Sequence, residues 1–202
     1  MTYEDINLRI KRIYSAINAA VEEDLDSFEP TVTRDANVIR ITQDFQGNLT
    51  QEELANLAYS SIHNIANLYG NLKKWASNNK KNPSKVDEVF NTSREIKIIQ
   101  DLSNNDKHGY PPRNGGHSGI SPKMEKFSRG LQIATPSKEG GTMEFTLDLS
   151  GKQQTTKMDN LAVVVSGSVS DANGNHIGNS HLIAMKALEA WEVYLNDNDI
   201  KL

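Results

Sequence analysis

Thr50-Gln51-Glu52-Glu53 is the most restrictive stretch of this chain. A threonine followed three residues later by a glutamate, just ahead of an apolar run, forms a capping box. Each side chain satisfies the other residue's free backbone N–H, and a helix is forced to start there. Leu54, Ala58, Ile62, Ile65, Tyr69, Leu72 and Trp75 then recur at helical spacing, which marks one buried stripe. A helix ending near Ala76–Asn79 has about 27 residues and a length of roughly 40 Å. His63 lies within it, off the main stripe, and reads as structural or exposed rather than as a ligand.

Three further helices are expected around it. Residues 2–27 form the first: Thr2 caps it, Glu4 and Asp5 sit in its first turn, and Ile6, Ile10, Ile13, Ile17 and Val21 make its stripe. The acidic segment that follows suits a helix C-terminus poorly, and Pro30 cannot continue it. The third helix is predicted from about Ser84 to Lys107. Val86, Val89, Phe90, Ile96, Ile99 and Leu102 lie on its buried side, Gly109 is its natural C-cap and Pro111-Pro112 its stop. Its short link to the second helix implies antiparallel neighbours. A closing helix over Ser180–Asn196, with Ser180 as cap, carries Ala184, Leu188, Trp191 and Leu195 on one stripe, with Ile183, Ala187 and Tyr194 beside it.

Elsewhere the period changes to two. Residues 31–49 read as irregular, with one strand candidate over Asn37–Phe45. Phe127–Thr135, Met143–Leu149 and Leu161–Ser170 read as strands of a small antiparallel sheet, with a turn at Lys138–Gly141. Asp171, Asn173 and Asn175 have the look of a calcium loop, but His176 occupies the position that needs glycine and Leu182 the twelfth position. Asn173-Gly174 is better read as a hairpin turn. The expected fold class is α+β: a bundle of long antiparallel helices with a small antiparallel β-sheet and a closing C-terminal helix. One domain is expected over 1–202, with helices in about 1–110 and 180–202 and strands in about 127–178.

Polar and titratable residues gather with regular spacing only between Arg94 and His117. On a helical wheel Arg94, Asp101 and His108 fall within roughly 40° of one another. Lys97, Asn104, Asn105 and Lys107 lie nearby, and Ile96, Ile99 and Leu102 point mostly the other way. A solvated helix face would look the same, with Lys97 paired to Asp101 and His108 favoured by the helix dipole. The functional reading is a binding surface made of Arg94, Asp101, Asn104, Asn105, Lys107 and His108. A loop over 109–126, rich in Gly, Pro and Ser, adds Arg113 and His117. Together with His108 these are the catalytic candidates. Lys73, Lys74, Lys80, Lys81 and Lys85 form a basic patch around Trp75, suited to a helix C-terminus or to phosphate contacts. In an antiparallel hairpin this patch and His108 lie about 35 Å apart, so one small substrate cannot touch both.

Composition narrows the chemistry. The chain has 202 residues, 37% hydrophobic and 24% charged, with a net charge of −4. That is globular, and nucleic acid would have to be held by a local patch. The absence of cysteine excludes a disulfide framework, a cysteine zinc site and a cysteine nucleophile. No Walker or dinucleotide glycine loop, no GxSxG and no HExxH is present. His176 and His181 lack a clear third ligand, so no metal and no cofactor are expected. No apolar run approaches the roughly 20 residues of a membrane span, and the expected location is cytoplasmic.

The run Asp101-Leu102, Asn104 and Lys107-His108 at the end of one long helix, with Trp191 in a closing helix, resembles small bacterial HEPN-like helical-bundle proteins. That resemblance covers about two thirds of the chain by pattern and implies a helical bundle. HEPN ribonucleases carry an Arg-x4–6-His motif that acts on RNA, usually across a dimer. Here Arg113 and His117 are separated by only three residues, so the motif is not matched. The leading expectation is therefore a non-enzymatic binding or accessory protein, in a bacterial defence or toxin–antitoxin setting. The alternative is a metal-independent ribonuclease or RNA-binding protein using His108, Arg113 and His117. The expected partner is a protein or RNA, with a homodimer as a further arrangement.

Overall fold

A computed structural model describes residues 1–22, 28, 31–35, 38–42, 44–45, 47–109, 113–133, 145–147, 153–155 and 161–200. The fold is α+β, as expected, with five α-helices and a four-stranded antiparallel sheet among the described residues. The capping box read at Thr50 is formed, and the expected Thr2 cap proves to be a second such box with Asp5. Helix α1 (Tyr3–Asn18) begins at Thr2, whose Oγ1 accepts from the Asp5 N–H at 3.1 Å while the Asp5 carboxylate accepts from the Thr2 N–H at 2.8 Å. After it come strands β1 (Val21–Glu22), β2 (Thr31–Asp35) and β3 (Val38–Thr42). Helix α2 (Gln51–Asn78) begins at Thr50 and Glu53 in the same way, at 3.2 and 2.8 Å. Its Leu54, Ala58, Ile62, Ile65, Leu72 and Trp75 are buried.

The first helix is shorter than its stripe suggests. It stops at Asn18, and Val21 joins β1 instead of a fifth helical turn. Val21 and Glu22 pair with the valine-rich strand of the main sheet, and the Ala20 carbonyl accepts from the Val165 N–H at 2.8 Å. A β-branched valine suits that edge, while the acidic residues beyond it disfavour a helix C-terminus.

The predicted third helix is two helices, α3 (Pro83–Thr92) and α4 (Arg94–His108). Ser93 is the break. Its backbone is extended (φ −87°, ψ 119°), its N–H closes α3 on the Val89 carbonyl, and its Oγ caps α4 by accepting from the Ile96 N–H at 3.2 Å. Thr92 adds to this by donating its hydroxyl back to the Glu88 and Val89 carbonyls. Thr and Ser compete with the helix ladder through such local bonds, which is why an unbroken apolar stripe still split. Proline stands at the first position of α3, behind an Asn82 cap.

The main sheet is built on β4 (Lys123–Ile133), β7 (Leu161–Ser170) and β8 (His176–Asn179). Strand β4 pairs along one edge of β7, from Lys123 opposite Ser170 to Ile133 opposite Leu161. The other edge of β7 is shared: β1 takes Val163 and Val164, and β8 takes Ser168 to Ser170. Strand β4 starts four residues before the predicted Phe127, inside the stretch read as loop. A bulge hides that start from a period-two reading, because Glu125 faces Ser168 and Ser128 faces Ser166. Two small hairpins stand apart from this sheet. In one, β2 pairs with β3, so the stretch read as irregular contains a strand as well as the expected partner. In the other, β5 (Phe145–Leu147) pairs with β6 (Gln153–Thr155). The predicted turn at 138–141 lies outside the described residues.

The β7–β8 turn is the expected Asn173-Gly174 hairpin turn. The Asp171 carboxylate accepts from the backbone of Asn173 and Asn175 and from the Asn175 side chain, and these bonds hold it below the usual carboxylate range, the Asn175 side chain contributing most. Helix α5 (Ser180–Asp197) is capped by Asn179 rather than Ser180. Ser180 is buried instead, and its Oγ accepts from the Gly167 N–H at 2.9 Å, tying the closing helix to the sheet. One core joins all five helices to Met124, Val165 and Val169 of the sheet, with Trp75 and Trp191 fully buried at its centre. Among the described residues no helix is long and apolar enough to cross a membrane.

Two glycines give opposite expectations. A Cβ on Gly167 would sit 2.5 Å from Met124 Cγ and 3.0 Å from the Phe127 ring, opposite the bulge. Gly167→Ala is expected to cost about 1–3 kcal/mol by overpacking. Gly70, in the interior of α2, has nothing within 4 Å, and Gly70→Ala is expected to stabilise by about 0.5–1 kcal/mol. Urea midpoints of the two variants beside wild type check both signs.

Candidate functional site

Helix α4 presents Asp101 to the inside of the protein. The expected solvated stripe with a Lys97–Asp101 pair is not what forms. Asp101 is 0% exposed, and its Oδ1 accepts from the His117 N–H at 2.9 Å. Its Oδ2 accepts from the Ser118 N–H at 2.7 Å and the Ser118 hydroxyl at 2.6 Å. Lys97 turns away to the Asn91 carbonyl at 3.1 Å. The reason is the glycine loop, which folds back over the polar face of α4 at Asp101 and covers that position. A buried carboxylate is tolerated only when its lone pairs are filled, and here three charge-assisted bonds fill them.

This contact needs glycine at one position. Gly116 has φ +69°, and a Cβ there would lie 2.5–2.6 Å from the Asp101 carboxylate. The loop is closed at both ends of this turn. The Ser121 N–H donates to the Gly115 carbonyl at 3.0 Å, and Asn105 donates its side-chain N–H to the Pro122 carbonyl at 3.3 Å. Asn105, a predicted binding residue, thus positions the start of β4.

With its backbone fixed on Asp101, His117 projects an exposed imidazole edge-on to Phe90 of α3, ring centroids 5.2 Å apart. Phe90 stacks on Tyr69 of α2 at 4.3 Å. The Tyr69 hydroxyl donates to the Asp87 carboxylate at 2.5 Å, and Lys73 donates to both oxygens of the same carboxylate at 2.8 and 3.1 Å. Lys73 also lies 5.4 Å from the Tyr69 ring centre, within reach of a cation–π attraction. The Lys73 ammonium, then the Tyr69 hydroxyl, hold Asp87 below the usual carboxylate range, and Asp87 in turn raises the pKa of both donors. His117, Phe90, Tyr69, Asp87 and Lys73 therefore form one strip across the loop, α3 and α2. It brings a loop histidine and a lysine of the basic patch into one surface, although His108 and that patch were expected at opposite ends of a hairpin.

The remaining predicted residues do not converge on this strip. Arg94, Lys107 and His108 are exposed along α4, with Gly109 closing the helix in the left-handed conformation. Asn104 accepts from the Gln100 side chain at 3.4 Å. His108 lies seven residues beyond Asp101, about 10 Å along the helix axis, while the His117 ring is directed toward α3. Arg113 belongs to a short turn over Arg113–Gly115, of which the backbone alone is described. In the basic patch Lys73 is paired with Asp87 and Lys85 with Glu88. Lys74, Lys80 and Lys81 are exposed. Among the described residues no group of three or more His, Asp or Glu could hold a metal ion.

One arrangement escaped the sequence reading. His63, expected to be structural or exposed, bridges α2 to α4: its Nδ1 lies 2.9 Å from Ser103 Oγ and its Nε2 2.8 Å from Asp106 Oδ2. Tyr59 stacks on the ring at 5.8 Å. Serine, histidine and aspartate are the residues of a hydrolase triad, but Ser103 is 0% exposed. A substrate carbonyl cannot reach its hydroxyl, so the array is a helix–helix clasp. No local signal could have shown it, because His63 and Ser103 are 40 residues apart.

Asp101→Asn turns one acceptor into a donor facing the loop's own donors and is expected to cost about 3 kcal/mol. Gly116→Ala should be destabilising as well, and in both variants the His117 ring protons should lose the ring-current shift from Phe90. Chemical denaturation and imidazole NMR together read this. A pH effect is expected elsewhere, at His181, whose imidazole is pushed below its ordinary range by burial. Above about pH 6.5 it is neutral in both folded and unfolded chains. Below that the unfolded chain takes up the proton first, so stability falls as pH falls, until the folded imidazole protonates too. His181→Gln should flatten that part of the stability–pH curve.

No family model, no curated protein and no solved structure matches the chain.

Proposed function

We propose that this chain is a non-enzymatic binding or accessory protein that recognises its partner through His117, Tyr69, Asp87 and Lys73, a strip supported from beneath by the buried Phe90 ring. The observation that carries this reading is where the titratable side chains are spent. Asp101 is consumed by its own loop, His63 by Ser103 and Asp106, and Lys73 and Asp87 by each other and Tyr69. Acid–base cleavage of a phosphodiester needs two free titratable groups flanking one phosphate. His117 has instead the edge of Phe90 as its neighbour. A rigid aromatic body with a charged pair beside it suits recognition, because such groups lose little side-chain entropy on binding.

The HEPN-like part of the reading is supported by the long helices α2 and α4, closed by α5 and ending in the Asp101–His108 run. A bacterial defence or toxin–antitoxin setting belongs to the same proposal. RNA is the second reading of the strip, since the exposed His117 ring can stack a base while Lys73, beside the half-buried Tyr69, can meet a phosphate.

Purified protein incubated with total RNA in EDTA, beside His108→Ala and His117→Ala, separates these readings. No cleavage by wild type is expected. Cleavage that disappears in a histidine variant would make the chain a metal-independent nuclease and overturn the proposal. In pull-downs, a partner captured by wild type is expected to be lost with His117→Ala and with Lys73→Glu, and to be kept with Lys107→Ala.

A further inference from the structure

Lys73 and Lys74 are adjacent in sequence but serve different faces of α2. Lys73 turns to α3 and is spent on Asp87. Lys74 turns to α1, where it lines a cleft of about 570 Å³ with Met1, Asp5, Leu8, Arg9, Arg12 and Asn78. That volume falls within the roughly 300–1,000 Å³ typical of small-molecule sites. The cleft is framed by contacts that fix the start of α1 against the end of α2. Tyr3 packs edge-on to the buried Trp75 ring at 5.1 Å, and the Asn79 side chain donates to the Met1 carbonyl at 3.1 Å.

The walls are cationic. Arg9 and Arg12 are three apart on α1 and share a face, and Lys74 approaches from α2. None of the three makes a salt bridge among the described residues. The single acid, Asp5, accepts from the Thr2 N–H in the capping box, which with the Thr2 side chain holds it below the usual carboxylate range, and Arg9 adds only a minor attraction. Three cations therefore meet one occupied carboxylate, in a protein whose net charge is −4. Gathering like charges costs Coulomb energy when nothing lies between them, and an anion bearing several charges reverses that sign. Arginine forks match phosphate oxygens in pairs. Leu8, 53% exposed, supplies an apolar wall for the rest of such a ligand.

We propose that this α1–α2 cleft binds a small-molecule oligophosphate, of the nucleoside di- or triphosphate class, through Arg9, Arg12 and Lys74. The site is separate from the His117 strip and does not depend on it. Inorganic tripolyphosphate is the probe, titrated calorimetrically into the full chain at low ionic strength. One-to-one binding is expected, with the dissociation constant raised about tenfold or more by Arg12→Ala and by Lys74→Ala, the scale of one lost charge-assisted contact. Lys11→Ala and Lys107→Ala, which remove exposed cations outside the cleft, are expected to leave it unchanged. Circular dichroism confirms that each variant is folded, as the exposure of these side chains predicts. Absence of one-to-one binding overturns the proposal. An equal loss in all four variants also overturns it, since net charge alone would then be responsible. A short single-stranded RNA that binds through Arg12 and Lys74 where tripolyphosphate does not would overturn it in favour of a nucleic-acid surface.

Discussion

A single buried carboxylate organises the functional half of this molecule. Asp101 sits at 0% exposure with three donors from loop residues 16 and 17 positions further on. Burying an unpaired carboxylate costs several kcal/mol, and each bond to a charged acceptor returns about 1.5–3 kcal/mol. Release of the loop would give up all three bonds at once, and removal of the carboxylate would leave the loop's own donors without their acceptor. The direction of the His117 side chain follows from that mutual dependence, as does the burial of Asp101 on a face of α4 that its own sequence marks as polar.

Ser93 is the second constraint. Had α3 and α4 been one straight helix, Phe90 and Asp87 would have continued the line of α4. The extended residue at the junction lets the ten-residue α3 take its own direction. Phe90 then meets both Tyr69 and His117, and Asp87 meets Lys73. The strip is thus assembled from a loop fixed by a carboxylate and a short helix freed by a serine, on the rigid platform of α2.

The sequence made some of this legible and not the rest, for physical reasons. The Thr2 cap, the Thr50 capping box, the α2 stripe and the α1 stripe from Ile6 to Ile17 are local patterns with a local cause, and they formed as read. The valine strand at Leu161–Ser170 was equally plain, because its β-branched run is bounded by turn residues. The break at Ser93 had its signal in Thr92-Ser93, but the apolar spacing on either side carries straight through it. Val21 fits both a helical stripe and a strand, and only the free edge of β7 decides between them. Asp101 was misread because its partners are backbone N–H groups 16 and 17 residues away, which no side-chain pattern encodes. The His63 clasp and the Arg9–Arg12–Lys74 cleft depend on which helix faces which, and that is fixed only once the core has packed.

The shared edge of β7 carries a consequence for how the chain assembles. Strand β1 pairs with Val163 and Val164, and β8 pairs beyond it on the same edge. The short strand after α1 thus has to wait for a partner made some 140 residues later, and α5 is tied to the same strand through Ser180. Strand β1 and the start of α5 thus converge on one segment made long after α1. During translation the amino-terminal helix can dock on α2, but its exit remains unpaired until that segment has left the ribosome. Closure of so long a loop raises contact order well above that of a simple helical bundle, and slow, late completion of the sheet is its kinetic signature.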